Sequence, residues 1–260
     1  MDEVVLVEAV GGTRIVTINR PHTRNALTRQ VLTAARRALD GASSNPAVRC
    51  VILGGADGHF CSGADLRQNI ADDPQMMDHL DVYMDDFHGL VKSLVRSGKP
   101  SIAMMDGGAV GFGADLAFAC DLRVASTRAY AQEKFVKIGL MPDGGGTFWL
   151  PRLVGTARAM QMMLLAEKVE AAELHRLGVV AKVVDAASLR ETTLAIAREI
   201  EAGPPLAFAA IKRSLYASWG SFEDALLRER TEQLKLLRSA DSFEGVAAWM
   251  QKREPAFKGE

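Results

Sequence analysis

Short β-rich runs that end in a glycine loop and then give way to a helix recur along this chain, and that order limits the fold more than any other feature. "VRCVILGGADG" is a buried strand running into glycines, and "YMDDFHGLVKSLVRSGKPSIAMMDGG" repeats the plan as helix, strand and glycines. A third unit starts in "CDLRVASTRAYA", and "VVAKVVD" reads as a last strand after the helical "ARAMQMMLLAEK" and "AAELHRLG". The chain opens with "VVLVEAVGGTRIVTINR", two strands around Gly11 and Gly12 that form a hairpin, closed by Pro21. "LTRQVLTAARRALDGA" follows as an amphipathic helix, with Thr28 as N-cap, Val31, Leu32, Ala35 and Leu39 on one face, and Gly41 as its stop. From Ala187 onward the pattern is helical, including "PPLAFAAIKRSLYAS" and "SFEDALLRERTEQLKLLRS". Residues 1–186 are thus expected to form an α/β body. Residues 187–260 form a helical region whose leucine and alanine stripes need a surface to pack on, such as another subunit.

Composition removes several function classes. Thirty-one Lys and Arg residues balance 32 Asp and Glu, for a net charge of -1. No global field then draws the chain to nucleic acid or to an anionic membrane, and neither is expected as a partner. Cys50, Cys61 and Cys120 are odd in number and widely spaced, which argues against a disulfide framework or a zinc cage. The opening segment lacks a cationic stretch followed by a long apolar run, and no later segment stays apolar for the length of a bilayer. A cytoplasmic location is the expectation.

Familiar glycine and nucleophile motifs fail on spacing. With Gly111 and Gly113 as the first pair of a dinucleotide fingerprint, the third glycine falls on Leu116. Lys99 is followed by Pro100, which rules out a phosphate-binding P-loop, and a nucleophile elbow at Ser62 would need glycine at Phe60. The five histidines show no zinc-binding spacing, so no metal is expected.

Two near-repeats remain, "FCSGADL" and "GFGADLA", each after a strand and before a helix. Such a junction either makes a turn that caps the helix or presents backbone N–H groups to a developing negative charge. A third segment, "GLMPDGGGTFWLPRLVG", sets Asp143 between a proline and three glycines. By itself that is a turn.

"RPHTRNAL", "HFCSGADL", "GGAVGFGADLAFACDLRVAS" and "IGLMPDGGGTFWLPRLVG" together resemble the crotonase, or enoyl-CoA hydratase/isomerase, superfamily over nearly the whole chain. The ending "SADSFEGVAAWMQKREPAFKGE" is similar to the epoxyphenylacetyl-CoA isomerase branch. The resemblance implies a crotonase-like α/β fold of repeated ββα units, a C-terminal trimerisation region giving trimers or dimers of trimers, and acyl-CoA substrates. It needs no separate cofactor, because coenzyme A is part of the substrate. Fatty-acid metabolism, or phenylacetate and other aromatic catabolism, is the implied setting. It places an oxyanion hole at the backbone N–H groups of Ala64 and Phe112. Coenzyme A contacts fall at Arg24, Ala26, Ala64, Asp65, Leu66 and Lys258, the last sometimes serving a neighbouring subunit. Phe135 and Met141 are implied in the acyl pocket, with further lining from "RQNIADDPQMMDHLDVYM".

The resemblance also bears on the reaction. Hydratases of this family carry a glutamate at each of two positions, which here hold Asp115 and Phe135; Glu133 lies nearby but in a register not expected to point inward. In the isomerase branch, and in the related aryl-CoA dehalogenases, the catalytic carboxylate stands where Asp143 does. A single carboxylate suffices for moving a proton between two carbons. The favoured expectation is an isomerase with Asp143 as acid and base, shielded by Met141, Phe148 and Trp149, and Asp115 in a secondary role. The alternatives are a hydratase using Asp115, an acyl-CoA thioester hydrolase, or a non-catalytic CoA- or RNA-binding relative.

Overall fold

The computed structural model describes residues 3–217 and 222–260. Met1, Asp2, and the Ser218 and Ser221 that end and begin the two quoted helical segments lie outside the described residues. In chain order the elements are β1 (Val5–Val10), β2 (Thr13–Ile18), α1 (Arg29–Ser44), β3 (Cys50–Gly55), α2 (Leu66–Asp72), α3 (Leu80–Arg96), β4 (Ser101–Met105), β5 (Gly108–Val110) and α4 (Phe112–Ala119). There follow β6 (Leu122–Ser126), β7 (Tyr130–Gln132), α5 (Gly146–Val154), α6 (Thr156–Leu165), β8 (Val169–Glu170), α7 (Ala171–Arg176) and β9 (Lys182–Val184). Four helices close the chain, α8 (Ala186–Ala202), α9 (Pro205–Ala217), α10 (Phe222–Leu236) and α11 (Ala240–Gln251).

The main sheet runs β1-β2-β3-β4-β6-β9, and a three-stranded sheet runs β5-β7-β8. The opening hairpin forms as expected, with Val10 opposite Thr13 across Gly11, whose φ of 57° suits the tight turn. From β2 onward the main sheet is parallel. A parallel sheet buries both faces, which explains the continuous apolar run of β3.

Successive side chains alternate between those faces. Val16, Val51, Leu53, Ala103 and Met105 face the larger core with α1, α3 and α4. Ile15, Ile52, Ile102 and Val124 face the other side, where Leu189, Leu194 and Ala197 of α8 cover them. The helical C-terminal region therefore begins with a helix that completes the core of the sheet.

Thr28 caps α1 as expected, its hydroxyl accepting from the Val31 N–H. The helix does not stop at Gly41 but continues to Ser44. The next residue, Asn45, precedes Pro46 and is held extended by it, so the proline ends the helix and the glycine is carried within it.

Arg123 of β6 ties the site-bearing helix to the sheet. Its guanidinium is buried and donates to the carbonyls of Ala117, Phe118 and Cys120 at the end of α4, while its Nε donates to Val179. Those carbonyls are the orphan acceptors of a helix end, and no water reaches them when they are buried. Arg123→Met should strand them. At about 1–3 kcal/mol for each unsatisfied buried acceptor, the expected loss exceeds about 3 kcal/mol, read as a lower urea midpoint.

Candidate active site

Two loops at the carboxyl ends of the strands are joined by backbone pairing. The Cys61 N–H donates to the Gly108 carbonyl at 3.0 Å, and the Val110 N–H donates back to Cys61 at 2.9 Å. The first loop is also paired to the segment after β2: Ser62 N–H donates to Arg24, Leu27 N–H to Gly63, and Asp65 N–H to Leu27. The Gly63 N–H is engaged too, meeting Cys61 Sγ at 3.4 Å. Among the described residues the Ala64 N–H itself meets no protein acceptor.

The second loop repeats that arrangement. Gly111 has φ 53° and donates its N–H to Gln132, while the Ala114 N–H turns back to Gly111. The Phe112 N–H, first in α4, meets no acceptor among the described residues. A Cβ on Gly63 would stand 2.9 Å from the Val110 carbonyl and 3.5 Å from the Phe112 nitrogen, and the φ of 91° there suits glycine. The two Gly-Ala-Asp repeats thus meet with one unengaged amide each.

Both amides border an open cavity of about 560 Å³. Ala64, Leu66, Phe112 and Phe135 form one part of its wall, and Met76 with Tyr83, Met84 and Phe87 of α3 form another. The rings of Tyr83, Phe87 and Phe112 pack in sequence, at 4.9 and 4.7 Å between centroids. Lys134 and Lys137 also border it.

Asp143 is the one carboxylate side chain among the cavity's lining residues. Burial raises its pKa, with His88 working in the opposite direction. The His88 Nε2 lies 2.9 Å from the Asp143 carbonyl oxygen, which fixes the turn against α3. Met141, expected in the pocket and as a shield for Asp143, is 65% exposed and outside the cavity wall. The chain here is an irregular turn without a repeating pattern, and Leu140 takes the wall position instead.

Asp115 does not reach the cavity. Its side chain is fully buried, and Oδ2 accepts the Gly144 N–H at 2.7 Å from behind the turn that carries Asp143. Glu133 is buried as well, beside Asp115. As the register suggested, Glu133 is not part of the cavity wall; just past the end of β7 it is buried, as Ala131 and Phe135 are, while Lys134 is exposed at the cavity's edge. The third glycine of the turn, Gly146, has a physical reason here, since a Cβ would fall 2.2 Å from Asp115 Oδ1 and 3.0 Å from Glu133 Oε1.

The residues implied for coenzyme A divide into three groups. Ala64 and Leu66 are in the cavity wall, and Arg24 is exposed beside Ser62 in the left-handed conformation. Ala26 and Asp65 are committed to internal contacts: Arg20 donates to the Ala26 carbonyl and pairs with Asp65 at 2.9 Å, and Asp65 also caps α2. Lys258 is distant from them within one chain. Its backbone is held by Asp241 and Arg49, and Arg49 precedes β3, whereas the site lies beyond the other end of that strand. Among the described residues no group of three or more His, Cys, Asp or Glu side chains is placed to hold a metal ion, and no helix is long and apolar enough to cross a membrane.

Known proteins resemble this chain over nearly all of their lengths. The sequence profile of the enoyl-CoA hydratase/isomerase family matches residues 8–260. A probable enoyl-CoA hydratase of Rhodobacter capsulatus is 38% identical, with 95% of each chain covered. The 1,2-epoxyphenylacetyl-CoA isomerase of Escherichia coli is 34% identical over 100% of both chains. The crystal structure of an enoyl-CoA hydratase from a Polaromonas species superposes with a TM-score of 0.92 at 33% identity, covering 97% of this chain and 99% of that one. With the crotonase fold and the profile both spanning the chain, the protein belongs to the enoyl-CoA hydratase/isomerase family.

Proposed function

We propose that the protein is an acyl-CoA isomerase that moves a double bond between the β,γ and α,β positions, or rearranges a ring-derived CoA thioester, with Asp143 as the base. The observation that carries this reading is one carboxylate in a mostly apolar cavity that also holds two unengaged amides. The thioester oxygen sits against the N–H groups of Ala64 and Phe112, which strengthen their hold as negative charge develops there. Asp143 removes a proton from the α carbon to give the enolate, then returns it at the γ carbon. No second acid is needed. The burial that raises Asp143 makes it a stronger base than a solvated aspartate.

The CoA moiety leaves along Ala64 and Leu66 towards Arg24, whose guanidinium suits a phosphate. Lys258 serves a neighbouring subunit's site on this reading, which its distance from Arg24 within one chain supports. Exposed apolar residues of the last helices, Leu215, Phe243, Trp249 and Met250 among them, support assembly into trimers or dimers of trimers. The hydratase name of the Rhodobacter capsulatus relative favours a second reading, water addition to an enoyl-CoA. Asp115 would then have to reach substrate from behind Gly144.

Asp143→Asn should lower β,γ-enoyl-CoA isomerisation by about 10²–10⁴-fold; undiminished turnover would remove Asp143 from the mechanism. Because the ionised form is the base, kcat/KM falls on the acid side, with its midpoint above the ordinary aspartate range owing to burial. Gly63→Ala should displace the amide pair and reduce kcat by roughly 10²–10³-fold, the scale of one oxyanion donor. Crotonyl-CoA hydration that is lost in Asp115→Asn and kept in Asp143→Asn would favour the hydratase reading instead.

A further inference from the structure

Asp115 and Glu133 are buried carboxyl groups that the proposed chemistry leaves unused. One oxygen of Asp115 accepts the Gly144 N–H at 2.7 Å. The other is buried, as are both oxygens of Glu133, and none of the three meets a donor among the described residues. Both groups crowd the same glycine, Gly146, from positions 2.2 and 3.0 Å from where its Cβ would be. Two ionised carboxylates side by side repel each other, and here each has an oxygen that meets no donor among the described residues. A proton between them makes one a donor and satisfies both.

The surrounding groups decide which carboxyl carries the proton. Asp143 is the charged neighbour that acts on both, and it is an acid too. His88 on α3 is turned to the Asp143 carbonyl, and Trp149 on α5 lies against Gly145. Burial and the Asp115 charge raise Glu133 strongly. Asp115 is raised by burial as well, but the Gly144 N–H and Glu133 favour its charged form. Because Asp115 alone of the two already accepts a backbone N–H, and Glu133 meets no donor among the described residues, Glu133 is the carboxyl assigned the proton here.

We propose that Asp115 and Glu133 are positioning residues, a buried pair sharing one proton in which Glu133 donates to Asp115 while Asp115 holds the Gly144 N–H and so fixes Asp143 at the cavity wall. The role in turnover rests on Asp143 being the base; the shared proton does not. The pair bears on the turn directly, since a Cβ at Gly144 would meet Asp115 at 2.6 Å.

Infrared difference spectra of the full-length protein, with Glu133→Gln as the reference, test the proton by itself. A protonated-carboxyl band at neutral pH should be present in wild type and in Asp143→Asn and absent from Glu133→Gln; a wild type without it overturns the proposal whatever the kinetics. In turnover, Glu133→Ala and Asp115→Ala should each lower kcat by on the order of 10²-fold, the scale of a misplaced catalytic group, with KM little changed. Glu133→Gln should rescue activity, because its amide N–H donates to Asp115 as the acid O–H does, and it should abolish the alkaline fall in kcat that follows loss of the shared proton. A Glu133→Gln as inactive as Glu133→Ala would overturn the positioning role in favour of proton transfer by Glu133. Should the alanine variants not fold, the glutamine variant and the infrared band decide. Activity in Asp143→Asn with the band intact would sink the assignment of the base and leave the shared proton standing.

Discussion

The site depends on one short stretch of backbone pairing, Cys61 to Gly108 and Val110. Each bond is worth about 0.5–1.5 kcal/mol net, so their importance lies in placement and not in strength. They splice the loop after β3 onto β5, and β5 is laddered to β7, whose continuation carries Glu133 and Phe135. The place of Phe135 in the cavity wall follows from that register. The tolerance is small: a Cβ on Gly113 would stand 2.2 Å from the Cys61 carbonyl, so the two loops approach as closely as a helix lacking a side chain allows.

Burial then sorts the carboxyl groups. Asp65 is satisfied by Arg20 and a helix N-terminus, and serves the loop's shape. Asp143 is half-buried, with one oxygen unpartnered among the described residues, and its backbone is anchored through His88 and Gly144. Asp115 and Glu133 are fully enclosed, where an unpaired charge is costly unless a proton or donor answers it. Three acids within one small region can coexist because they do not all carry charge, and the one nearest solvent is the one with the smallest reason to stay neutral.

Much of this was legible in the sequence, and the remainder failed for identifiable reasons. The opening hairpin, the Thr28 cap and the strand–glycine–helix order are local matters of propensity and turn chemistry, and they form as read. Gly41 misled as a stop because glycine inside a helix is only unfavourable by about 1 kcal/mol, whereas Pro46 forbids continuation outright. The place of α8 on the sheet was not visible, because a leucine stripe shows that a face is buried without showing against what. Met141 and Leu140 could not be told apart, since an irregular turn has no period. Glu133 was read as standing outside the site, but a carboxyl's burial beside Asp115 depends on a contact between distant segments that no local pattern shows.

If Phe135 stands where the resemblance sets a hydratase's second glutamate, the consequence goes beyond removing one acid. A phenyl ring in the wall beside Gly111 lowers the local dielectric around whatever lies against the Ala64 and Phe112 amides, and backbone dipoles act more strongly there than they would in water. On the proposed chemistry that favours a mechanism in which charge is held by fixed amides and a single acid shuttles a proton. Water addition gains little from the same change, because it needs a polar partner to orient the attacking oxygen. On the proposed chemistry the apolar wall strengthens the groups that remain, two amides and one carboxylate.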